Sequence, residues 1–442
     1  MSASIEHNRA KALAQLIGDR ASSTPRGIAS VCSAHPLAIG AALQRGFAED
    51  MPVLIEATCN QVNHEGGYTG MTPADFRRFV EGIAGNIGLP VSRIIFGGDH
   101  LGPNPWRALP AEEALQKAEA MVAAYVEAGF EKIHLDTSMG CAGEPAALPD
   151  ELTAARAARL AGVAEDAAAR SGRRPPVYVI GTEVPPPGGA THALDTLEVT
   201  RPDAARQTLA VHAAAFAKAG VEAALERVIG IVVQPGVEFG NENVAIYRPK
   251  RAQELSGALT HMPGLVFEAH STDYQPAEAL SALVDDGFAI LKVGPGLTFA
   301  LREALYGLDA IAAILDGPQP DSLTATMEML MLENPGHWAS HYPGSPAEQQ
   351  LQRHYSYSDR IRYYWPDPRA EKAVDRLFAR LDRDIPETLI SQHLGRIYPL
   401  VAAGKVAPRS RALCLAAIDA ALAPYYTATR AGNPDGETKW HR

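Results

Sequence analysis

Short apolar segments rich in valine and isoleucine alternate with alanine-rich stretches of helical spacing through roughly the first 300 residues. Hydrophobicity within each segment is nearly continuous, as in parallel strands that are covered on both faces. The predicted strands lie within 27–36, 52–62, 93–102, 132–139, 176–184, 228–236, 264–272 and 289–297. Eight such strand and helix units are the number that closes an α/β barrel of the (β/α)8 or TIM type, which typically takes about 250 residues.

An open doubly wound sheet is the alternative to a barrel. That fold usually carries a G-x-G-x-x-G turn between a strand and a helix. No predicted strand is followed by this motif, and Gly294-Pro-Gly296 lacks the third glycine. The motif G-x-x-x-x-G-K-[ST] is also missing. We therefore predict a barrel and expect no nucleotide cofactor.

The character of the chain changes after the eighth unit. Residues 320–368 are rich in aromatic and loop-forming residues, and 369–428 have the spacing of several helices that end at prolines. We predict a barrel over 1–317 and a helical extension over 318–442 that packs on it.

Charge and composition bear on partners and location. The net charge is −11 and no basic stripe is interleaved with aromatic residues, so we expect no nucleic-acid partner. No run of about 18 apolar residues predicts a membrane span, and the polar N-terminus does not resemble a signal peptide. Four cysteines without C-x-x-C spacing are expected to be reduced, which predicts a cytoplasmic protein: Cys32, Cys59, Cys141 and Cys414.

Polar side chains stand where the predicted strands end. A barrel gathers these ends at one mouth, where active sites lie. Several of the groups sit in apolar runs, and burying them is costly unless they are paired or bind a metal. We therefore predict a functional site at the mouth, drawn from Ser33, His35, Glu56, Asn60, Gln61, Asp99, His100, Asp136, Ser138, Thr182, Glu183, Gln234, Glu238, Glu268, His270, Ser271 and Lys292.

Asp99 and His100 end the third strand in the sequence GGDHLGPNPW. Alternate strand residues point to opposite faces, so both reach the mouth only if the chain bends there. Imidazole is a good zinc ligand, and a neighbouring carboxylate can carry a proton. His270 ends the seventh strand and could share an ion with His100, with Glu183 as a third ligand. The alternative is a metal-free mouth, in which Asp99 caps a turn and His100 bonds to backbone.

The turns after the seventh and eighth strands suggest an anion site. Barrels often hold phosphate there, and the backbone N–H groups of Gly294 and Gly296 suit it, beside Ser271 and Lys292. Tight turns at the rim are the alternative. The glycine-rich stretch 63–70 either wraps a sugar or phosphate or only connects two elements. Three arginines of the extension could reach a phosphate, although a solvated or interface position is the expected role: Arg353, Arg360 and Arg362.

Six motifs in one order resemble a known family: SAHPLAIGAAL, IEATCNQVNHEGGYTGMTP, FGGDHLGPNPW, HLDTSMGCAG, GTEVPPPGGA and FEAHSTDYQ. This is the GatZ/KbaZ family, the large non-catalytic subunits of class II D-tagatose-1,6-bisphosphate aldolase, and the resemblance runs over about residues 8–430. Its members are also labelled tagatose 6-phosphate kinases. The missing kinase motifs do not support that label.

The relation of this family to class II aldolases implies roles for single residues. His100 and His270 would be metal ligands, Asp99 the acid or base, and Asp136 part of the fourth-strand segment. An aldolase supplies another histidine at strand six, where this chain has Gln234. Glu183 would complete the ligand set for Zn²⁺, or for Mn²⁺ or Mg²⁺; otherwise the site is vestigial. The predicted catalytic residues are Asp99, Glu183 and Asp136, and the predicted substrate contacts are Glu56, Asn60, Ser138, Gln234, Glu268, Ser271, Lys292, Gly294 and Gly296.

Two functions follow from this resemblance. The first is a non-catalytic subunit in ketohexose catabolism that stabilises a smaller class II aldolase subunit of the GatY/KbaY type. The second is a metal-dependent enzyme that acts on a ketose or ketose phosphate as an aldolase or C4 epimerase. Acidic and imidazole groups kept in the mouth favour the enzyme, whereas the missing strand-six histidine favours the subunit. Either form could be a homo-oligomer.

Overall fold

The eight predicted strands close into a parallel barrel in the computed structural model, which describes residues 26–181 and 197–430 together with Leu13, Gln15, Leu16 and Gly18. The barrel strands are β1 (Ile28–Cys32), β2 (Val53–Thr58), β3 (Ile94–Leu101), β4 (Lys132–Leu135), β5 (Val177–Ile180), β6 (Val228–Val232), β9 (Val266–Ala269) and β10 (Ile290–Val293). Strand β1 pairs with both β2 and β10, which closes the ring. The predicted (β/α)8 fold is confirmed.

Helices follow the barrel strands and cover their outer faces. They are α1 (Pro36–Ala48), α2 (Pro73–Ile87), α3 (Ala111–Glu127), α4 (Asp150–Ser171), α5 (Pro202–Ala219), α6 (Glu222–Leu225), α7 (Pro249–Ala258), α8 (Ala277–Asp285) and α9 (Pro295–Asp316). Their ends match local sequence signals. Thr72 and Asp75 form a capping box at the start of α2, where Pro73 takes the first helical position, and Gly88 ends the helix with φ 80°.

A short hairpin interrupts the pattern after β6. It pairs β7 (Glu238–Phe239) with β8 (Val244–Ala245) in antiparallel fashion outside the barrel. The sequence analysis did not predict it, because strands of two residues carry no measurable periodicity.

The barrel interior is apolar at the end where its strands begin. Ile28, Leu54, Ile95 and Ile290 form a buried cluster there, and Leu13 and Leu16 pack into the same cluster. A larger apolar core lies between the strands and the surrounding helices. The buried ionisable groups Glu56, Asp99, Glu268 and Lys292 lie further along their strands, towards the carboxyl ends.

The chain after α9 is helical, with α10 (Leu323–Glu333), α11 (Pro346–Tyr355), α12 (Pro368–Arg380), α13 (Glu387–His393), α14 (Tyr398–Ala402) and α15 (Ser410–Thr429). Helix α15 packs against α1, α8 and α9, and the Tyr425 hydroxyl donates to the Thr272 carbonyl at 2.6 Å. Among the described residues, α15 alone is long and apolar enough to cross a membrane by length and composition. Half of it is buried, as in a core helix.

Candidate active site

Alternate residues of the barrel strands point inward and stack in layers above the apolar cluster. On β3, Gly97 stands inside the ring, and a Cβ there would lie 2.5 Å from Glu56 Oε1, so glycine leaves room for that carboxylate. The next inward residues form a buried charged layer and, above it, a layer of imidazole and carboxylate groups. The charged layer is Glu56, Lys132, Glu268 and Lys292, and the upper layer is Asp99, His134 and His270.

Two lysines pair with three carboxylates inside the barrel. Lys132 Nζ lies 2.6 Å from Glu56 Oε1 and 2.7 Å from Glu268 Oε2. Lys292 Nζ lies 2.5 Å from both Glu56 Oε2 and Asp99 Oδ1. None of the five side chains is more than 7% exposed. Both lysines donate charge-assisted hydrogen bonds to Glu56, and the ion pair of Lys292 with Asp99 links the layer to the groups above it.

The pairing fixes the protonation states in this layer. Burial would raise the pKa of Asp99, but the charges of His100 and Lys292 hold it well below its usual range. Burial likewise opposes the charge on Lys132, and the carboxylates of Glu268 and Glu56 raise its pKa above the ordinary value. Asp99 is thus ionised, and the lysines are charged.

His100 enters the site through a distortion of β3. The pairing of β3 with β4 shifts register between Gly98 and Leu101, and His100 has φ 50°, in the left-handed region. Such a conformation is uncommon for a residue other than glycine. It turns the imidazole to the same side as Asp99, which regular strand alternation would forbid.

Three imidazoles converge above the charged layer. The ring of His100 lies 4.8 Å from those of His134 and His270, and the latter two are 5.3 Å apart, centroid to centroid. One ligand atom from each of these rings and one oxygen of Asp99 all lie within 4.8 Å of one another. This spacing suits a single bound metal ion.

Each imidazole is oriented through its second nitrogen. His100 Nδ1 lies 2.7 Å from Asp136 Oδ2, His134 Nε2 lies 2.9 Å from the Gly181 carbonyl, and His270 Nε2 lies 2.9 Å from Glu268 Oε1. An acceptor at one nitrogen holds the ring in place and turns the other nitrogen towards the cluster, which is the usual arrangement around metal-binding histidines. For His134 that other nitrogen, Nδ1, also accepts the backbone N–H of His100 at 3.2 Å.

The electrostatics of the site favour a cation. His134 Nδ1 lies 2.9 Å from Asp99 Oδ1 and also accepts from the backbone N–H of His100 at 3.2 Å, so this nitrogen faces both the ionised carboxylate and the chain of β3. Burial opposes a charge on His100, yet the carboxylates of Asp99 and Asp136 raise its pKa. Burial lowers the pKa of His270 to about 3, so this ring is neutral. The donor set fits a divalent metal.

The predicted site residues fall into three groups. Asp99, His100, His270, Asp136, Glu56, Glu268 and Lys292 come together as described, and the Ser138 hydroxyl donates to Asp136 Oδ1 at 2.9 Å. Gln234 is buried, and its Oε1 accepts from the backbone N–H groups of Gly236 and Val237. Asn60 is exposed. Thr182 and Glu183 lie outside the described residues.

The predicted anion site already holds a carboxylate. Asp273 Oδ1 accepts from the N–H groups of Gly294 at 2.9 Å and Gly296 at 2.7 Å. Ser271, also buried, lies nearby against Glu238. The amides at the start of α9 thus bind an anion, as glycine turns at helix N-termini do, but the anion comes from the protein itself.

The sequence analysis missed His134 and Lys132. Both belong to KIHLDTSM, in which Lys132, His134 and Asp136 alternate with apolar residues. That alternation was a readable signal for one inward face, but the segment was interpreted only by its last residues. Cys32 was also missed, and its Sγ lies 3.6 Å from Asp99 Oδ2.

Comparison with known proteins identifies the family. Residues 13–430 match the model described as "D-tagatose-1,6-bisphosphate aldolase subunit GatZ/KbaZ-like". The chain belongs to the GatZ/KbaZ-like family. It is 58% identical over 422 residues to the D-tagatose 6-phosphate 4-epimerase of Agrobacterium fabrum, covering 95% of this chain and 99% of that protein.

A solved structure supports the fold of this GatZ/KbaZ-like protein. The crystal structure of a "probable tagatose 6 phosphate kinase" from Sinorhizobium meliloti 1021 is 61% identical, with a TM-score of 0.85, and covers 91% of this chain and 100% of its own. The resemblance read from the sequence motifs is confirmed, and the family places the chain in tagatose metabolism.

Proposed function

We propose that this GatZ/KbaZ-like chain is a metal-dependent C4 epimerase of a ketohexose 6-phosphate. The main support for this proposal is that His100, His134 and His270 converge beside Asp99, and that a hydrogen-bond acceptor orients each ring. A purely structural subunit would gain nothing from buried charges at this position, because burying them is costly. The name of the Agrobacterium fabrum relative supports the same reaction and the same class of substrate.

The three imidazoles would hold the metal. When bound, a divalent ion polarises a carbonyl and stabilises negative charge that develops on it, as Lewis-acid catalysis requires. Asp136, Gly181 and Glu268 keep the three rings in place. The sequence-based assignment of Glu183 as a further ligand stays a proposal.

Asp99 would move the proton. In epimerisation through bond cleavage, Asp99 accepts the C4 hydroxyl proton while the C3–C4 bond breaks and its electron pair passes towards the C2 carbonyl. The three-carbon aldehyde then turns over, the bond re-forms on the opposite face, and the proton returns to the new C4 oxygen. Lys292 keeps Asp99 ionised and in position for the first step. Atoms and charges balance without a co-reactant.

Metal content and product analysis test the proposal together. The purified chain is expected to retain about one equivalent of metal after washing with a weak chelator, and to lose it in His100→Ala, His134→Ala and His270→Ala. His64→Ala is the matched control, because His64 lies outside the imidazole cluster. Metal loss in the control as well, or retention in all three variants, would contradict the site.

Substrate conversion separates the related activities. The loaded enzyme is expected to interconvert D-tagatose 6-phosphate and D-fructose 6-phosphate without ATP, and Asp99→Asn to lose at least about 100-fold in kcat. Release of free three-carbon products would indicate an aldolase. A requirement for ATP would support the kinase label and refute the proposal.

The family description itself favours a second function, as a subunit that supports a smaller class II aldolase. Co-purification with such a subunit, together with activation of its aldolase activity by the Asp99→Asn variant, would establish a role that needs no catalysis by this chain.

A further inference from the structure

A cavity of about 640 Å³ lies between the barrel and the extension. Its wall includes Cys32 and Gly294, at the carboxyl ends of the neighbouring strands β1 and β10. The Sγ atom of Cys32 also lies 3.6 Å from Asp99 Oδ2 and 3.7 Å from Glu56 Oε2. The cavity therefore reaches the candidate active site.

One part of this cavity is polar. Ser33, Tyr68, Thr298 and Arg362 line it. Arg362 belongs to a short 3-10 helix of the extension, Arg360–Tyr364, whose Tyr363 ring lies 4.9 Å from that of Tyr68. The extension thus brings a cation to hydroxyl groups that come from the barrel part of the chain.

Arg362 has N–H groups beyond those that its hydrogen bonds within the protein use. Its Nη1 donates to the carbonyls of Ser358 and Asp359 at 2.5 and 3.0 Å, and its Nη2 donates to the Tyr363 hydroxyl at 3.1 Å. These bonds use three of its five N–H groups. No carboxylate among the described residues forms an ion pair with it, so Nε and one Nη2 hydrogen remain for a ligand.

The nearby backbone amides are not available for that ligand. Asp273 occupies the N–H groups of Gly294 and Gly296, which sequence reasoning assigned to a phosphate. The other cation that lines the cavity, Arg411, stacks on Phe378 of α12, with its guanidinium carbon 5.0 Å from the ring centroid. Arg362 is the cation that stands beside both the hydroxyl groups and the Gly294 turn.

We infer that Arg362 binds the phosphate group of the substrate, with the Ser33 and Tyr68 hydroxyls as further donors, and so makes the enzyme select phosphorylated ketoses. The inference rests on the proposed epimerase function. Planar guanidinium groups suit phosphate because two parallel N–H groups face two oxygens. The role of the extension is then to complete the substrate site rather than only to cover the barrel.

Inorganic phosphate is the direct probe. Titration calorimetry on the full metal-loaded chain is expected to show phosphate binding that Arg362→Met weakens about 10- to 100-fold, the loss typical of a charge-assisted bidentate contact. Arg360→Met is the matched control. It lies two residues earlier in the same 3-10 helix, its Nε donates to the His337 carbonyl, and it does not line the cavity.

Kinetics give the second readout. The ratio of kcat/KM for D-tagatose 6-phosphate to that for D-tagatose is expected to fall about 10- to 100-fold in Arg362→Met, to recover in part in Arg362→Lys, and to stay unchanged in Arg360→Met. If Arg362→Met does not fold, as thermal unfolding would reveal, Arg362→Lys and Ser33→Ala are expected to show a smaller fall.

The outcomes separate this inference from the proposed function. Wild-type phosphate affinity in Arg362→Met, or equal losses on both sugars, would overturn the inference and leave the epimerase intact. Phosphate binding that depends on Arg362 in a chain without epimerase activity would refute the function but keep the anion site. A wild-type chain that binds no phosphate would overturn the inference.

Discussion

Lys132→Met removes the centre of the buried charged layer. The ammonium group of Lys132 lies between Glu56 and Glu268, and all three side chains are fully buried. Methionine preserves most of the volume and the apolar stem, so the change removes charge rather than packing. Glu56 keeps Lys292 at 2.5 Å, whereas Glu268 is left with Lys292 at 3.8 Å and with His270. Glu268 is therefore the carboxylate that loses its close positive partner in this variant.

Removing one partner of a buried ion pair typically costs about 3–5 kcal/mol, because the remaining charge stays buried. We expect Lys132→Met to lower the free energy of unfolding by about this amount at pH 7. Lys117→Met is the control. Lys117 is 37% exposed and pairs with Glu65 at the surface, where an ion pair contributes at most about 1 kcal/mol.

The pH dependence tests the electrostatic origin of the loss. Burial would raise the pKa of Glu268, but the charges of Lys132 and Lys292 hold it well below the ordinary value of 4.5. Without Lys132 that pKa rises, so the folded variant binds a proton more readily than the folded wild type. The deficit should be full above the pKa of Glu268 in the folded variant, and should narrow as the pH falls below that pKa.

Urea unfolding between about pH 3 and pH 8, with metal removed by chelation from both proteins, measures this difference. A deficit under about 1 kcal/mol at pH 7, below the range for buried pairs, would refute the reasoning. So would a large deficit that is constant with pH, because that would indicate lost packing. The double variant Lys132→Met/Glu268→Gln should regain part of the stability.

Two further expectations concern neighbouring groups. Burial raises the pKa of Glu238 to about 7, so the folded state holds this proton more tightly than the unfolded chain, and stability falls as the pH rises from about 4.5 to 7. In urea unfolding at pH 8, Glu238→Gln should therefore be about 1–3 kcal/mol more stable than the wild type. This difference should disappear below pH 5. Asp136→Asn should weaken metal affinity about 10- to 100-fold in competition with a chelator, since it holds His100 Nδ1, and an unchanged affinity would show that Asp136 does not orient the ring.

The sequence predicted the barrel because strand periodicity and helix caps are local signals. The strand segment 93–102 matches β3 (Ile94–Leu101), and Thr72-Pro73 marks the start of α2 as expected. Asp99, His100 and His270 were predicted as one site, since a barrel gathers strand ends. The route by which His100 enters was not predictable in detail, because it depends on a register shift against β4 and on φ 50°.

Other features depend on contacts between distant segments. Asp273 reaches amides 21 and 23 residues away, and no spacing rule connects the seventh strand end to that turn. Arg362 reaches the mouth only because a loop-rich part of the extension folds against the 63–70 segment. Such pairings are set by tertiary packing, and a single sequence does not encode them as a pattern.

The charged layer and the imidazole cluster form one electrostatic unit. Glu56, Glu268, Asp99 and Asp136 carry four negative charges against the positive charges of Lys132, Lys292 and protonated His100, while His270 is neutral. One negative charge is therefore left in a buried region, which is unfavourable unless a cation lies close to it. The imidazoles stand directly against Asp99, where a divalent ion would supply that cation. The inner lysines thus leave the region negative enough to attract a metal, yet sufficiently neutral for the barrel to fold around it.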